Sequence, residues 1–199
     1  MKKATRQKTT RDAILDATDR LLTRYGYKKM TIDDLAREVG IGKGSIYLHF
    51  SSKEEIALSH IDRIIEHLKE SLRKIASKPA PVEDRLREML CERVLFRFDS
   101  VQHYSQSLDE LLAQLRGKLL ERRKKYFEEE ARIFASIVAE GQDADIFDPG
   151  DAFDIALTLL SATNSLLPYS LSVVELGNRD QLADRAKKTA DILIRGLKS

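Results

Sequence analysis

The sequence predicts an all-α protein with a three-helix helix-turn-helix head at its N-terminus and a larger helical body after it. Nearly every segment places apolar residues three and four positions apart, which is the period of a helix with one buried face. Only 9 glycines and 4 prolines occur among 199 residues, too few for the frequent turns of an all-β chain. The fractions of hydrophobic (42%) and charged (33%) residues are typical of a folded globular protein.

Helical periodicity and capping residues divide the chain into nine predicted helices. They cover residues 10–25, 31–39, 43–50, 53–76, 82–99, 107–117, 119–140, 151–172 and 179–197. Thr10 and Asn178 are suitable N-caps, whereas Gly26 and Gly40 are suitable ends. Pro168 is expected to bend the eighth helix, because proline removes a helical hydrogen bond.

Charge is distributed unevenly between two expected domains, residues 1–53 and 54–199. The first holds 12 Lys+Arg against 6 Asp+Glu, a net charge of 12 − 6 = +6, and the second 22 against 26, a net of −4. A basic front indicates contact with a polyanion such as nucleic acid, and chance asymmetry of a solvated surface is the alternative. The helix over 53–76, about 35 Å long, is expected to link the two domains, before a break at Lys78-Pro79-Ala80-Pro81.

The single cysteine, Cys91, excludes an internal disulfide framework and favours a reducing, cytoplasmic compartment. The basic N-terminus has no apolar stretch after it, so we expect no signal peptide there. Residues 155–174 carry no charge and are long enough to span a bilayer. Seven of these 20 residues are Thr, Ser or Asn, so we expect a helix buried against protein instead.

The segment from Thr31 to Phe50 has the spacing of a helix-turn-helix. Ala36 is small where two helices would cross, and Gly40 suits the left-handed conformation at the end of the first helix. Ile46 returns a bulky side chain to their shared core. The residues left outside on the next helix suit entry into the major groove of DNA. They are Lys43, Gly44, Ser45, Tyr47, Leu48 and His49. An ordinary helix pair is the alternative, but it leaves the exposed Tyr-Leu-His cluster without a purpose.

Residues 10–55 resemble the DNA-binding region of TetR-family transcriptional regulators. The resemblance rests on Tyr25-Gly26-Tyr27, on Met30-Thr31-Ile32-Asp33-Asp34-Leu35-Ala36, on the run from Val39 to Phe50, and on Lys53-Glu54-Glu55. It covers about a quarter of the chain. Gly42 departs from the Ser or Thr that is frequent there, which removes a possible phosphate contact and weakens capping of the third helix.

The resemblance implies a homodimer in the bacterial cytoplasm, associated with the nucleoid when bound to DNA, with two DNA-reading heads and a helical effector-binding body. It further implies that Tyr47 and Lys53 contact phosphates, that Thr31 contacts the backbone, and that Lys43 reads a base. The expected activity is that of a repressor that binds a palindromic operator and is released by a small molecule. A basic arm of Lys2, Lys3, Arg6 and Lys8 is expected either to reach the DNA or to form a solvated tail.

The last two helices carry apolar stripes that we expect at the dimer interface, with intrachain core as the alternative. The stripes contain Ile155, Leu159, Ala162 and Leu166, and then Leu182, Ala186, Ala190, Leu193 and Leu197. Candidate effector contacts in the body, each of which plain core would also explain, are Met89, Phe96, Phe98, His103, Tyr104, Phe127, Phe134, Asn164 and Tyr169. Ligand binding is expected to tilt the 53–76 helix and so to change the spacing of the two heads, about 34 Å on an operator.

Two other functions compete with this interpretation. The first is a helical enzyme or small-molecule carrier, but no nucleophile elbow, P-loop, zinc-protease or dinucleotide motif is present. We therefore expect no catalytic residue and no cofactor. His60 and His67 lie seven apart on one helix face, but they lack further ligands at suitable spacing, so no metal site is expected. The second is a non-specific nucleoid protein, which the ratio of specific to random DNA affinity would distinguish.

Overall fold

A computed structural model describes residues 9–104, 108–166 and 177–198, excluding the side chains of residues 101, 108, 109 and 112. The described residues form eight helices and no strand. The helices are α1 (Thr10–Lys29), α2 (Ile32–Val39), α3 (Lys43–Tyr47), α4 (Lys53–Ala76), α5 (Val82–His103), α6 (Leu108–Asp143), α7 (Ala152–Asn164) and α8 (Arg179–Arg195). The all-α prediction is confirmed. The predicted basic arm (Lys2, Lys3, Arg6 and Lys8), Pro168 and Tyr169 lie outside the described residues.

Several predicted helix limits were wrong. From Leu108 onward, the ranges predicted as 107–117 and 119–140 form one continuous helix, α6, because a glycine inside a helix costs only about 1 kcal/mol and Gly117 does not enforce a break. The third helix ends at Tyr47 instead of residue 50, and the fifth continues to His103. The eighth predicted helix, 151–172, corresponds to α7, which ends at Asn164, with residues 167–172 outside the described chain.

The caps of the first helices fix the chain path into the head. Thr9, instead of the predicted Thr10, is the N-cap of α1 and forms a capping box with Asp12. Gly26 interrupts α1 with φ 78°, the left-handed conformation that glycine adopts without steric cost, so the predicted stop lies at the right residue. One further turn, residues 27–29, follows before α2.

The chain divides into two compact units. The head unit runs to Ile64 and includes Tyr104–Leu119, and the body unit contains Ile65–His103 and the chain from Leu120 onward. The head unit therefore recruits the first part of α4 and the start of α6. The predicted functional boundary after residue 53 stays a prediction.

Each unit has its own apolar core. The head core is built around Leu15, Leu22, Leu35, Ile46 and Phe50, all of which are buried. The body core contains residues of α4, α5, α6, α7 and α8, with a smaller cluster around Val94 and Phe98. Within the described part of the chain, no helix has the length and apolar character needed to cross a membrane.

Candidate nucleic-acid interface

The turn between α2 and α3 is built from the residues that the sequence singled out. Gly40 has φ 77° and ψ 34°, and its amide donates hydrogen bonds to the carbonyls of Ala36 (2.9 Å) and Arg37 (3.2 Å). The Ile41 amide also donates to the Ala36 carbonyl, at 3.0 Å. Ile46 is completely buried and Ala36 nearly so. These contacts confirm the predicted helix-turn-helix frame and fix the direction in which α3 leaves the turn.

Burial of Ile46 leaves the opposite side of α3 open to solvent. Tyr47 is 50% exposed and Leu48 is 84% exposed, and the residues Lys43, Gly44 and His49 are exposed as well, whereas Ser45 is half-buried. We call these six residues the α3 face. The exposed side chains of Leu48 and Tyr47 contribute no burial of apolar surface to the head core. Adjacent exposed apolar side chains of this kind are typical of a binding surface.

Gly42 precedes α3 as its N-cap and provides no side-chain hydrogen bond, as the sequence predicts. The helix has only five residues, too few to be stable alone. Its position therefore depends on Ile46 and Phe50, which anchor it in the head core.

One charged pair lies at the α3 face, and a capping box begins α2. The Lys43 ammonium lies 3.0 Å from the Asp33 carboxylate, and this contact raises the pKa of Lys43. Thr31 caps α2 by accepting a hydrogen bond from the Asp34 amide, and its hydroxyl donates to the Asp34 carboxylate at 2.6 Å. Hydrogen bonds from Thr31 lower the pKa of Asp34. Sequence reasoning missed the Lys43–Asp33 pair, because nothing in the spacing signals it.

A lysine that contacts phosphate is expected to extend into solvent, but Lys53 is bound within the head. Its ammonium donates hydrogen bonds to the carbonyls of Tyr27 (2.9 Å) and Met30 (3.0 Å), with the Lys28 carbonyl at 3.4 Å. The Tyr27 ring lies 4.5 Å from the same nitrogen. Burial at this position lowers the pKa of Lys53.

The body unit contains a buried ionic network. Arg93 and Arg97 each donate to the carboxylate of Glu130, at 2.6 Å in both cases. Arg93 also donates to Thr163 (3.2 Å) and to Asn164 (3.0 Å), so the Asn164 amide has the polar partner that the sequence predicted it needs. Arg93 and Glu130 are almost fully buried, which requires such pairing.

The candidate effector residues do not converge in one described cavity. In the body unit, Met89, Phe98 and Phe134 are buried in apolar core, Phe96 and Phe127 are half-buried, and His103 is exposed. Tyr104 belongs instead to the head unit, where its hydroxyl lies 2.8 Å from Nε2 of the buried His60 and donates to Asp19. The proposed role of Tyr104 as an effector contact stays a prediction.

The apolar stripes assigned to a dimer interface are largely covered by the chain itself. The buried members of these stripes are Leu159, Leu166, Leu182, Ala186 and Ala190, while Ile155, Ala162, Leu193 and Leu197 are partly buried. The intrachain alternative thus accounts for most of the stripe, because α5 packs against both α7 and α8. Ile192 on α8 remains 69% exposed, and Thr158 and Ser161 on α7 are also exposed.

The described residues also bear on two further chemistries, metal binding and thiol reactivity. The described residues contain no cluster of three His, Cys, Asp or Glu side chains able to hold a metal ion. Cys91 is half-buried, and its burial raises the pKa of the thiol, which disfavours the reactive thiolate.

Comparison with known proteins identifies the head. Residues 14–59 match the family of bacterial regulatory proteins described as the tetR family. An uncharacterized HTH-type transcriptional regulator of Lactococcus lactis is 36% identical over 84 residues, which are 42% of this chain and 43% of the relative. The negative transcriptional regulator IcaR of the Staphylococcus aureus biofilm operon icaADBC is 32% identical over 94 residues, 47% of this chain and 49% of that one. Each match therefore spans less than half of the relative's length.

The fold extends the likeness along almost the whole chain. A transcriptional regulator from Cytophaga hutchinsonii superposes with a TM-score of 0.75 at 21% identity, covering 94% of this chain and 97% of the other. A TetR transcription regulator from Haloarcula marismortui gives 0.73 at 21% identity, over 95% and 98%. The matched head and the shared helical fold agree with the resemblance noted in the sequence. The head, residues 14–59, therefore matches the tetR family of bacterial regulatory proteins, and the chain as a whole shares the helical fold of these regulators.

Proposed function

We propose that the protein is a transcriptional regulator that binds double-stranded DNA through the α3 face. The observation that carries the proposal is the exposure of Tyr47 and Leu48 on a short helix whose opposite side, at Ile46, is completely buried. Lys43 supplies a cation on the same face, suited to guanine O6 or N7. Tyr47 supplies a phenol for phosphate, and Ser45 and His49 add polar groups beside it. A regulator of this kind needs no catalytic residue, and we propose none.

We further propose that two copies bind a palindromic operator. A symmetric dimer presents two recognition helices that must reach successive major grooves, about 34 Å apart. The exposed parts of α7 and α8, with Ile192, Thr158 and Ser161, are the surfaces that we assign to the dimer contact. A stable contact of this type buries on the order of 1,600 Å² in total.

Repression with release by a small-molecule effector is the activity that we propose. The name of the relative IcaR as a negative regulator supports repression. The body unit is the proposed effector-binding part. An effective ligand must favour the conformation that does not bind DNA by about 1–3 kcal/mol. If a ligand with demonstrated binding to the protein leaves operator affinity unchanged, the allosteric part of the proposal is wrong.

Selection of bound duplexes from a random DNA pool tests the central proposal. Enrichment of a palindrome is the expected result, and the selected duplex should bind on the order of a thousandfold or more tighter than random duplex at the same salt concentration. Tyr47→Ala should weaken binding to both duplexes, whereas Lys43→Ala should mainly reduce the preference for the selected one. A variant of the exposed body residue Lys74, Lys74→Ala, is the matched control. Unchanged DNA affinity in both head variants would show that the α3 face has been misassigned.

A further inference from the structure

The ammonium of Lys53 joins the two ends of the helix-turn-helix. Lys53 is the first residue of α4, and its acceptors are the carbonyls of Tyr27 and Lys28 in the last turn of α1 and of Met30, the C-cap of α1. Residues 31–52, which contain all of α2 and α3, lie between the two joined points. The contact therefore closes the whole DNA-reading segment into a loop.

The acceptors are groups that the helix itself leaves without hydrogen bonds. The last carbonyls of an α-helix have no intrahelical donor, and the interruption at Gly26 places this end of α1 beside the start of α4. A lysine ammonium has three donor hydrogens, and three carbonyls surround this one at 2.9, 3.0 and 3.4 Å. In this arrangement no hydrogen remains for a phosphate oxygen.

Neighbouring groups hold the ammonium in the same place. The Tyr27 ring, 98% buried, faces the cation at 4.5 Å, a favourable arrangement for a positive charge over an aromatic face. The carboxylate of Glu110 on α6 accepts a hydrogen bond from the Lys28 amide at 2.8 Å, and its charge favours the protonated form of Lys53. Both ends of the contact are thus fixed independently of DNA.

We propose that Lys53 is a positioning residue that sets the orientation of α2 and α3, and that it does not contact DNA phosphate. This inference rests on the proposed DNA-binding function and departs from the phosphate role that the family resemblance implied for Lys53. In this proposal Lys53 supports DNA binding because it orients α2 and α3, and not because its ammonium contacts a phosphate.

The two roles differ in the salt dependence of DNA binding. Each phosphate contact contributes about 0.9 to the slope of log affinity against log salt concentration, through release of counterions. For Lys53→Met we expect at least about tenfold weaker binding to the selected duplex with an unchanged slope. The variant loses hydrogen bonds from a charged donor that hold α2 and α3 in the orientation that binds DNA, and one such bond is worth more than a tenfold change in an equilibrium constant. Lys74→Met, an exposed lysine on the same helix, should change neither quantity.

Lys53→Arg separates the roles a second time. Arginine binds phosphate at least as well as lysine, but its planar guanidinium cannot direct three hydrogens at the converging carbonyls. We therefore expect Lys53→Arg to weaken binding as well. Measurements are made well below the thermal unfolding transition of each variant, so that loss of stability alone does not lower the affinity. Wild-type affinity in Lys53→Arg, or a slope reduced by about 0.9 in Lys53→Met, would overturn the inference.

NMR spectroscopy of the wild-type protein, labelled with ¹³C at the lysine ε-carbon, needs no variant to fold. The Tyr27 ring should shift the ε-methylene signal of Lys53 upfield, and this shift should persist when the selected duplex is added. Movement of the signal to the position of the other lysines on binding DNA would contradict the proposal. If the wild-type protein binds neither the selected nor a random duplex, it is the proposed function that has failed, which is a different outcome.

Discussion

Removal of the Asp33 carboxylate should strengthen DNA binding. Asp33 lies 3.0 Å from the Lys43 ammonium, the group that we assign to base recognition. The hydrogen bond and the charge of Asp33 hold the Lys43 ammonium and compete with a base edge for it. The carboxylate also stands beside the face that approaches a polyanion, which adds repulsion. Asp33→Asn relieves both effects while keeping the size of the side chain.

The exposure of the pair limits the size of the effect. The side chains of Lys43 and Asp33 are 50% and 62% exposed, so water screens their attraction strongly. Exposed ion pairs of this kind change an equilibrium by a factor of about 1.5 to 5. We therefore expect Asp33→Asn to bind the selected duplex about two- to fivefold more tightly at moderate salt, with the gain shrinking as salt rises.

A double-mutant cycle measured by fluorescence anisotropy identifies the cause. Asp33→Asn, Lys43→Ala and the double variant are titrated against the same labelled duplex, with Asp154→Asn as an exposed control in the body unit. The gain from Asp33→Asn should be smaller when Lys43 is absent, because only relief of repulsion remains. Weaker binding of Asp33→Asn, or an equal gain with and without Lys43, would refute the reasoning.

Three further outcomes test the fold. Gly40→Ala should lower the free energy of unfolding by about 1 kcal/mol, because alanine is strained in the left-handed backbone conformation of residue 40. Gly117→Ala should raise the free energy of unfolding by about 0.5–1 kcal/mol, because alanine is the better helix former inside α6. Urea denaturation measures both. Glu130→Gln, which removes the carboxylate shared by two arginines of the body, should destabilise the protein by about 3–5 kcal/mol, while the exposed Glu121→Gln should change stability by less than about 0.5 kcal/mol. The pKa of Asp34 is lowered in the folded protein by its hydrogen bond from Thr31. The ionised Asp34 carboxylate therefore stabilises the fold above about pH 4, and this stabilisation is lost as the pH falls through the folded pKa. Asp34→Asn should flatten the acid dependence of the urea midpoint.

The helix-turn-helix was predictable because its determinants act over a few residues. Thr31 and Asp34 of the capping box lie three positions apart, and Ala36, Gly40 and Ile46 fall within a stretch of eleven residues. Each has a local steric or hydrogen-bonding reason that a single sequence displays. The structure therefore agrees with the predicted frame, residue by residue.

Longer-range partners were not predictable in the same way. The carbonyl acceptors of Lys53 lie 23–26 residues earlier in the chain, and periodicity states only that Lys53 begins a helix. The sequence predicted that one helix ends at residue 117 and another begins at residue 119. The helix instead continues across Gly117, with Leu115 buried and Leu119 partly buried in the head core, and the helix propensity of glycine alone does not decide between these outcomes.

The apolar stripes of α7 and α8 show a second limit of the same kind. Helical periodicity identifies the face that must be covered, but it does not say whether the cover comes from the same chain or from another copy. Leu159, Leu182 and Ala190 are covered by the body unit itself. The dimer contact that we propose therefore uses residues outside the stripes, and among the described residues of α7 and α8 Ile192 is the most exposed large apolar side chain.

The recognition proposed for this head depends on packing as much as on the exposed side chains of the α3 face. A helix of five residues has no stability of its own, so the direction of the α3 face is set by its attachments. The left-handed turn at Gly40 orients its start, Ile46 and Phe50 hold it to the core, and Lys53 fastens the chain that follows. Each attachment acts on a different part of the segment, so loss of one should misplace the face while the others keep the unit folded. We therefore expect the residues that decide the proposed DNA binding to include buried ones that do not contact DNA.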